Sequence, residues 1–159
     1  MLFPIIFVSL LVQIFSYSYM KEDPHKMRFY LYLNLFSYQM LLLVAGDNFF
    51  TFFLGWEGVG LVSYLLINFW FTRIEANHAS LKAFLMNRIG DWFLTIGIIF
   101  ITIMLGDLSI LVSPEGLNTS LIFFTGLFLF LGAIAKSAQI GLHSWLTASM
   151  EGPTPVSAL

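Results

Sequence analysis

The chain has 159 residues, 58% of them hydrophobic and only 10% charged, with a mean hydropathy of +0.86. A water-soluble domain carries about 25% charged residues, so these figures exclude an ordinary soluble globule. The net charge of −2 rests on seven Lys and Arg and nine Asp and Glu. The basic residues do not cluster with aromatics as a nucleic-acid surface would require. Cysteine is absent, which removes iron–sulfur clusters, cysteine-held zinc and disulfides. His25, His78 and His143 lie far apart in sequence, without the close spacing of a metal site, and no Gly-rich phosphate loop is present.

In chain order the pattern is one of membrane spans. Residues 1–20 contain no charge, and about 20 residues of helix cross a hydrocarbon core of about 30 Å. Met1-Leu2-Phe3-Pro4 lacks the basic start of a signal peptide, so this run is expected to be a first spanning helix. A polar loop follows from Lys21 to Arg28, interrupted by Pro24. Phe29 to Gly46 is again uncharged and predicts a second span, with Asp47-Asn48 as a minimal turn. Phe49 to Phe71 predicts a third, and Thr72 to Asn77 a loop.

A fourth helix is expected from about His78 to Leu105, its first half made polar by Lys82, Asn87, Arg88 and Asp91. Gly106 to Ser120, with Asp107, Pro114 and Glu115, reads as a loop. A fifth span is expected to start near Leu117 and to continue past Lys136. Gly and Pro collect between Gly141 and Pro155, which predicts a break in the helix before a sixth begins. The chain stops at Ser157-Ala158-Leu159 as a new apolar segment begins, the pattern of a truncated domain. The expected fold is therefore an all-α polytopic membrane protein, with about five spans plus the start of a sixth. Lys21, Lys26 and Arg28 follow the first span, and Arg73 and Lys82 the third, while the intervening loops lack Lys and Arg. The positive-inside rule places the first set together on the matrix or cytoplasmic side.

One acid breaks this regularity. Glu57 stands in a stretch otherwise uncharged from Asn48 to Thr72, where insertion scales charge about 2.5–3.5 kcal/mol for an ionised group at the bilayer centre. Gly55, Gly58 and Gly60 beside it allow close approach of other helices. A carboxylate held between desolvation and a neighbouring cation can exchange protons near neutral pH. Lys136, after twenty uncharged residues, is the natural partner; the bland alternative is a lysine snorkelling from a helix end. Arg88 and Asp91 lie about 60° apart on one helix and can pair with each other, with Asn87 on the same side. That pair serves equally as a structural lock or as part of a relay. His143 has a titration range suited to proton transfer and lies beside a predicted break, a feature of ion-transporter sites.

Four motifs occur in order: Gly55-Trp56-Glu57-Gly58-Val59-Gly60-Leu61, Asn87-Arg88-Ile89-Gly90-Asp91, Lys136-Ser137-Ala138-Gln139-Ile140-Gly141-Leu142-His143, and Met150-Glu151-Gly152-Pro153-Thr154-Pro155-Val156-Ser157-Ala158-Leu159. Together they resemble the chain 5 family of mitochondrial NADH–ubiquinone oxidoreductase, the distal antiporter-like subunits of respiratory complex I. The resemblance covers nearly the whole chain, including Glu22-Asp23-Pro24-His25 and Gly46-Asp47-Asn48.

The resemblance implies an antiporter-like bundle of two inverted repeats, with residues 1–159 forming part of the first. It implies that Glu57 and Lys136 form the charged pair of a proton-translocation half-channel and that Asp91 lies in the same polar region. One departure is visible: Leu142-His143-Ser144-Trp145-Leu146 is followed by Thr147, where the family usually has Pro.

The implied function is that of a core membrane-arm subunit of proton-pumping NADH:ubiquinone oxidoreductase, multi-pass in the mitochondrial inner membrane. Its expected site residues are Glu57, Lys136, Asp91 and His143, supported by Arg88. NAD, FMN, iron–sulfur clusters and ubiquinone are expected on other subunits of the complex and none in this chain. Expected partners are the other membrane-arm subunits, the adjacent antiporter-like one above all, and the lipid bilayer; nucleic acid is not one. A subunit of a multisubunit sodium–proton antiporter, which shares the fold, and a purely structural membrane scaffold are the alternatives.

Overall fold

The computed structural model describes residues 2–106, 110 and 119–158. Five long helices appear: α1 (Leu2–Tyr19), α2 (Lys26–Ala45), α3 (Phe49–Ile67), α4 (Ile74–Leu105) and α5 (Thr119–Lys136). Two short ones follow, α6 (Ser144–Ser149) and α7 (Thr154–Ser157). The expected loop with Asp107, Pro114 and Glu115, and the expected helix start near Leu117, lie outside the described residues.

By length and composition α1, α3 and the Ile74–Met104 stretch of α4 can each cross a membrane. Helix α2 is long enough at 20 residues but opens with Lys26 and Arg28 and carries Asn34 and Gln39. The apolar run of α5, Ser120–Lys136, is slightly shorter than a full span. Large side chains such as Phe3, Met27, Ile103 and Trp92 are more than two-thirds exposed. An apolar surface of this kind suits lipid, and the chain is an all-α, multi-pass membrane protein.

Helix α3 starts on a side-chain cap. Asn48 accepts a hydrogen bond from the Thr51 amide at 2.8 Å, an N-cap that satisfies one of the free donors at the start of α3. The loops after α1 and α3 meet at one end of the bundle, as the charge pattern requires. There Arg28 donates to the Phe69 carbonyl at 3.0 Å and lies over the Phe69 ring, and the Trp70 indole donates to Asp23 at 3.2 Å.

Lipid tails are as apolar as leucine, so close packing rather than escape from water must hold these helices together. Helices α1 to α3 pack around Phe29, Leu33, Val62 and Leu66, all at most 1% exposed. Glycines set the spacing. A Cβ on Gly55 would lie 2.5 Å from the Leu43 amide nitrogen of α2, so no side chain fits there. Between α4 and α5, a Cβ on Gly132 would sit 3.2 Å from both the Leu94 nitrogen and the Gly90 carbonyl oxygen. Stacked rings add to this second interface, with Phe128 lying between Phe93 and Phe100.

Helix α5 stops at Lys136 instead of continuing past it, so the break begins earlier than Gly141. The Gln139 amide reaches back to the Ile134 carbonyl at 3.1 Å and the Ala138 amide to Ala135 at 3.3 Å. This pair of bonds is a Schellman motif, with Ala138 in the left-handed position at φ 51°. That position normally belongs to glycine, because a Cβ costs about 1–2 kcal/mol there. Gly141, at φ 100°, makes the second bend. The chain then folds back, and the Trp145 indole donates to the Ala135 carbonyl at 3.1 Å, which thus accepts a second bond beside that from Ala138.

Gly55→Ala is expected to lower stability by about 1–3 kcal/mol, because α2 backbone must move to admit the methyl group. At Gly126 an added Cβ meets nothing within 4 Å, so Gly126→Ala should be neutral or stabilising by up to about 1 kcal/mol. The melting temperature of the assembled full-length protein compares the two; equal effects would refute the packing role of Gly55.

Candidate functional site

Three helices bring the charged residues together. Helix α3 contributes Trp56, Glu57 and Gly60, helix α4 contributes Asn87, Arg88 and Asp91, and α5 ends on Lys136. Glu57 is the ninth residue of the nineteen in α3, so it is far from both helix ends. It is held by Arg88, whose Nη1 donates to Oε1 at 2.8 Å and to Oε2 at 2.7 Å. One guanidinium nitrogen therefore serves both oxygens, a point-charge contact rather than the two-pronged fork of which arginine is capable. The Arg88 guanidinium also lies 5.1 Å from the centre of the Phe84 ring, and cation–π attraction favours this placement.

Trp56 connects the other two charges. Its indole Nε1–H donates to Asp91 Oδ1 at 2.8 Å, and its backbone carbonyl accepts from Lys136 Nζ at 3.0 Å. The same ammonium stands 5.2 Å from the centre of the Trp56 ring. Gly60, one turn further along α3, makes room for it: a Cβ there would lie 3.1 Å from Nζ. Lys136 interacts electrostatically with both Glu57 and Asp91 without an ion-pair contact to either. Asp91 is 6% exposed, so its hydrogen bond from Trp56 meets a need that burial creates.

The end of α5 also favours Lys136 where it is. Unpaired carbonyls give a helix C-terminus a partial negative charge, which attracts a cation in the last turn. Two charges of each sign thus share one region, with Asp91 buried, Glu57 partly buried and the Arg88 side chain 40% exposed, and offset part of each other's desolvation.

The geometry differs from the expected pairings. Glu57 contacts Arg88, not Lys136. Arg88 and Asp91 do not bond to each other along α4; both reach across to α3, where Glu57 and the Trp56 indole offer partners that would otherwise be unmatched. His143 lies apart from the cluster. The end of α5 at Lys136 breaks the helical path that would have aligned the two residues, and His143 is exposed at the start of α6, beside Gln139 and Ile140. Trp56 escaped the sequence reading, although an indole N–H inside a membrane helix always needs an acceptor.

These features define a multi-pass membrane bundle with an ionic core spread over three helices. Residues 46–159 match the family described as NADH:quinone oxidoreductase/Mrp antiporter, TM, and residues 1–30 match the chain 5 N-terminus of NADH-ubiquinone oxidoreductase (complex I). The chain belongs to this NADH:quinone oxidoreductase/Mrp antiporter transmembrane family. It is 53% identical to NADH-ubiquinone oxidoreductase chain 5 of Cryphonectria parasitica and 53% identical to that of Rhizopus stolonifer. The chain 5 protein of Talaromyces marneffei is 54% identical. In each case all of this chain is covered and 25% of the relative, so the chain spans about a quarter of the length of these relatives.

Because one nitrogen of Arg88 makes the whole ion pair, Arg88→Lys should preserve assembly. Arg88→Gln should cost about 1.5–3 kcal/mol, the worth of a hydrogen bond to a charged group. A double-mutant cycle with Glu57→Gln, read by melting of the assembled protein, measures this; independence of the two sites would refute the pair.

Proposed function

We propose that this chain is part of a core membrane-arm subunit of proton-translocating NADH:ubiquinone oxidoreductase, in the mitochondrial inner membrane. Its role there is to move protons, while NAD, FMN, iron–sulfur clusters and ubiquinone act on other subunits. Its partners are the neighbouring membrane-arm subunits, the adjacent antiporter-like one among them. The family membership and the chain 5 relatives support this reading. The structural observation that carries it is the joined charge cluster: Glu57 on Arg88, and Asp91 and Lys136 both bonded to Trp56.

In this reading Glu57, Asp91 and Lys136 exchange protons, and Arg88 is the fixed counter-charge. A proton arriving at Glu57 cancels the negative charge that holds Arg88. The protonation free energy of Lys136 changes in response, because the sites are electrostatically coupled. A neighbouring subunit that moves charge towards or away from the cluster alters the same equilibrium, and that coupling is reciprocal. His143, outside the cluster, would act only as an exchange point on the exposed side of the break.

Glu57→Gln and Lys136→Met, each in the full-length protein within its assembled complex, should lower proton translocation about tenfold or more. The measurement is protons moved per NADH oxidised in sealed vesicles. A wild-type ratio in both variants would eliminate the relay. Sodium-dependent proton exchange without co-purifying flavin and iron–sulfur subunits would favour the antiporter reading. A double variant that impairs assembly while leaving transport intact would favour the scaffold.

A further inference from the structure

A cavity of about 380 Å³ lies between α2, α3, α4, the end of α5 and the folded-back α6 and α7. Most of its wall is apolar, with Phe36, Trp56 and Trp145 prominent, but Lys136, Asn87 and Ser63 also line it. Asn87 is 5% exposed, and its side-chain Oδ1 is buried without a hydrogen-bond partner. An unmatched amide oxygen at such a site is costly, and native structures rarely leave one dry.

We infer that the cavity holds bound water, anchored by Asn87 and joined to the Lys136 ammonium, with Asn87 as a positioning residue for the proton relay. The inference rests on the proposed relay role of Lys136.

The chemistry of the wall selects the occupant. Lys136 presents only donors, three on one ammonium, and one is spent on the Trp56 carbonyl. Asn87 Oδ1 presents only an acceptor. Ser63 has spent its proton on the Gly60 carbonyl at 2.8 Å, and Ser149 and Ser157 theirs on carbonyls of their own short helices. What remains of these hydroxyls is acceptor capacity. An anion would suit Lys136 and repel the oxygens; a cation would do the reverse. A small neutral molecule that accepts from Nζ and donates to Oδ1 satisfies both, and water does so. Each water needs about 30 Å³, so several fit against the polar end while the aromatic end stays dry.

Removal of the anchor should loosen the hydration of Lys136 without touching its bond to Trp56. A density map of the intact complex, at a resolution that shows ordered water, should place a peak about 2.7–3.2 Å from Asn87 Oδ1 and connect it to Nζ. In the assembled complex Asn87→Leu, similar in size but unable to bond, should slow proton translocation about tenfold and enlarge its solvent deuterium isotope effect. Asn87→Ser, which keeps an oxygen in the cavity and admits a further water, should recover most of the rate.

Wild-type translocation by Asn87→Leu, beside a defective Lys136→Met, would overturn the water site and leave the relay standing. If Lys136→Met also pumps normally, the relay itself fails and this inference with it. Should Asn87→Leu not assemble, the map decides, and a dry cavity overturns the proposal.

Discussion

An ionised carboxylate halfway along a membrane helix needs a cation held against it, and Arg88 meets that need for Glu57 with both oxygens on a single nitrogen. The demand propagates outward. Arg88 must come from a second helix, so α4 must lie close against α3. That contact is lined by Tyr64 on Phe84 and by Trp56 on Asp91. With α4 fixed, glycines at 90, 97 and 132 let α5 lie against its other face, and α5 then ends where Lys136 can reach α3. The charges thus help to place α3, α4 and α5, while α1 and α2 are held by apolar packing.

The position of Lys136 depends on where α5 stops. Had the helix continued, its backbone carbonyls would all be bonded within the helix. Ending at Lys136 gives the side chain the partial negative charge of a helix terminus. It also turns the chain back, so that Trp145 caps Ala135 and the short helices close one side of a cavity. An alanine in the left-handed position is a local cost, and it persists because the surrounding bonds of the turn fix it.

Much of the helix pattern was legible because charge is expensive in lipid: α1 to α3 follow stretches nearly free of Asp, Glu, Lys and Arg within a few residues, whereas α4 was legible despite its Glu75, Lys82, Arg88 and Asp91. Glu57 was conspicuous for the same reason. Partner choice was not legible. Glu57 has two cations within reach of its region, and only the rotation of α4 about its axis decides that Arg88 takes it. The end of α5 was also hidden, since Gly141 advertised a break while Ala138, which begins it, looks like an ordinary helix former. The roles of Trp56 and Asn87 were not legible, because they come from what lies opposite them after folding. Gly90 and Gly97, seven apart and therefore on one face of α4, were a signal of the α5 contact that spacing alone could have supplied.

Trp56 divides the charged core into two unlike parts. Glu57 and Arg88 form a direct, partly exposed ion pair, in which loss of either charge leaves the other without its partner. Asp91 and Lys136 never touch; the indole N–H satisfies one and the backbone carbonyl with the ring face satisfies the other. A direct salt bridge resists proton exchange, because both partners gain from staying charged. An acid and a base held by separate neutral groups lack that mutual lock, yet remain near enough to influence each other. The two arrangements thus differ in how firmly each charge is tied to one partner. One tryptophan therefore joins three helices: α3 carries it, α4 brings an acid to its indole, and α5 brings an ammonium to its carbonyl.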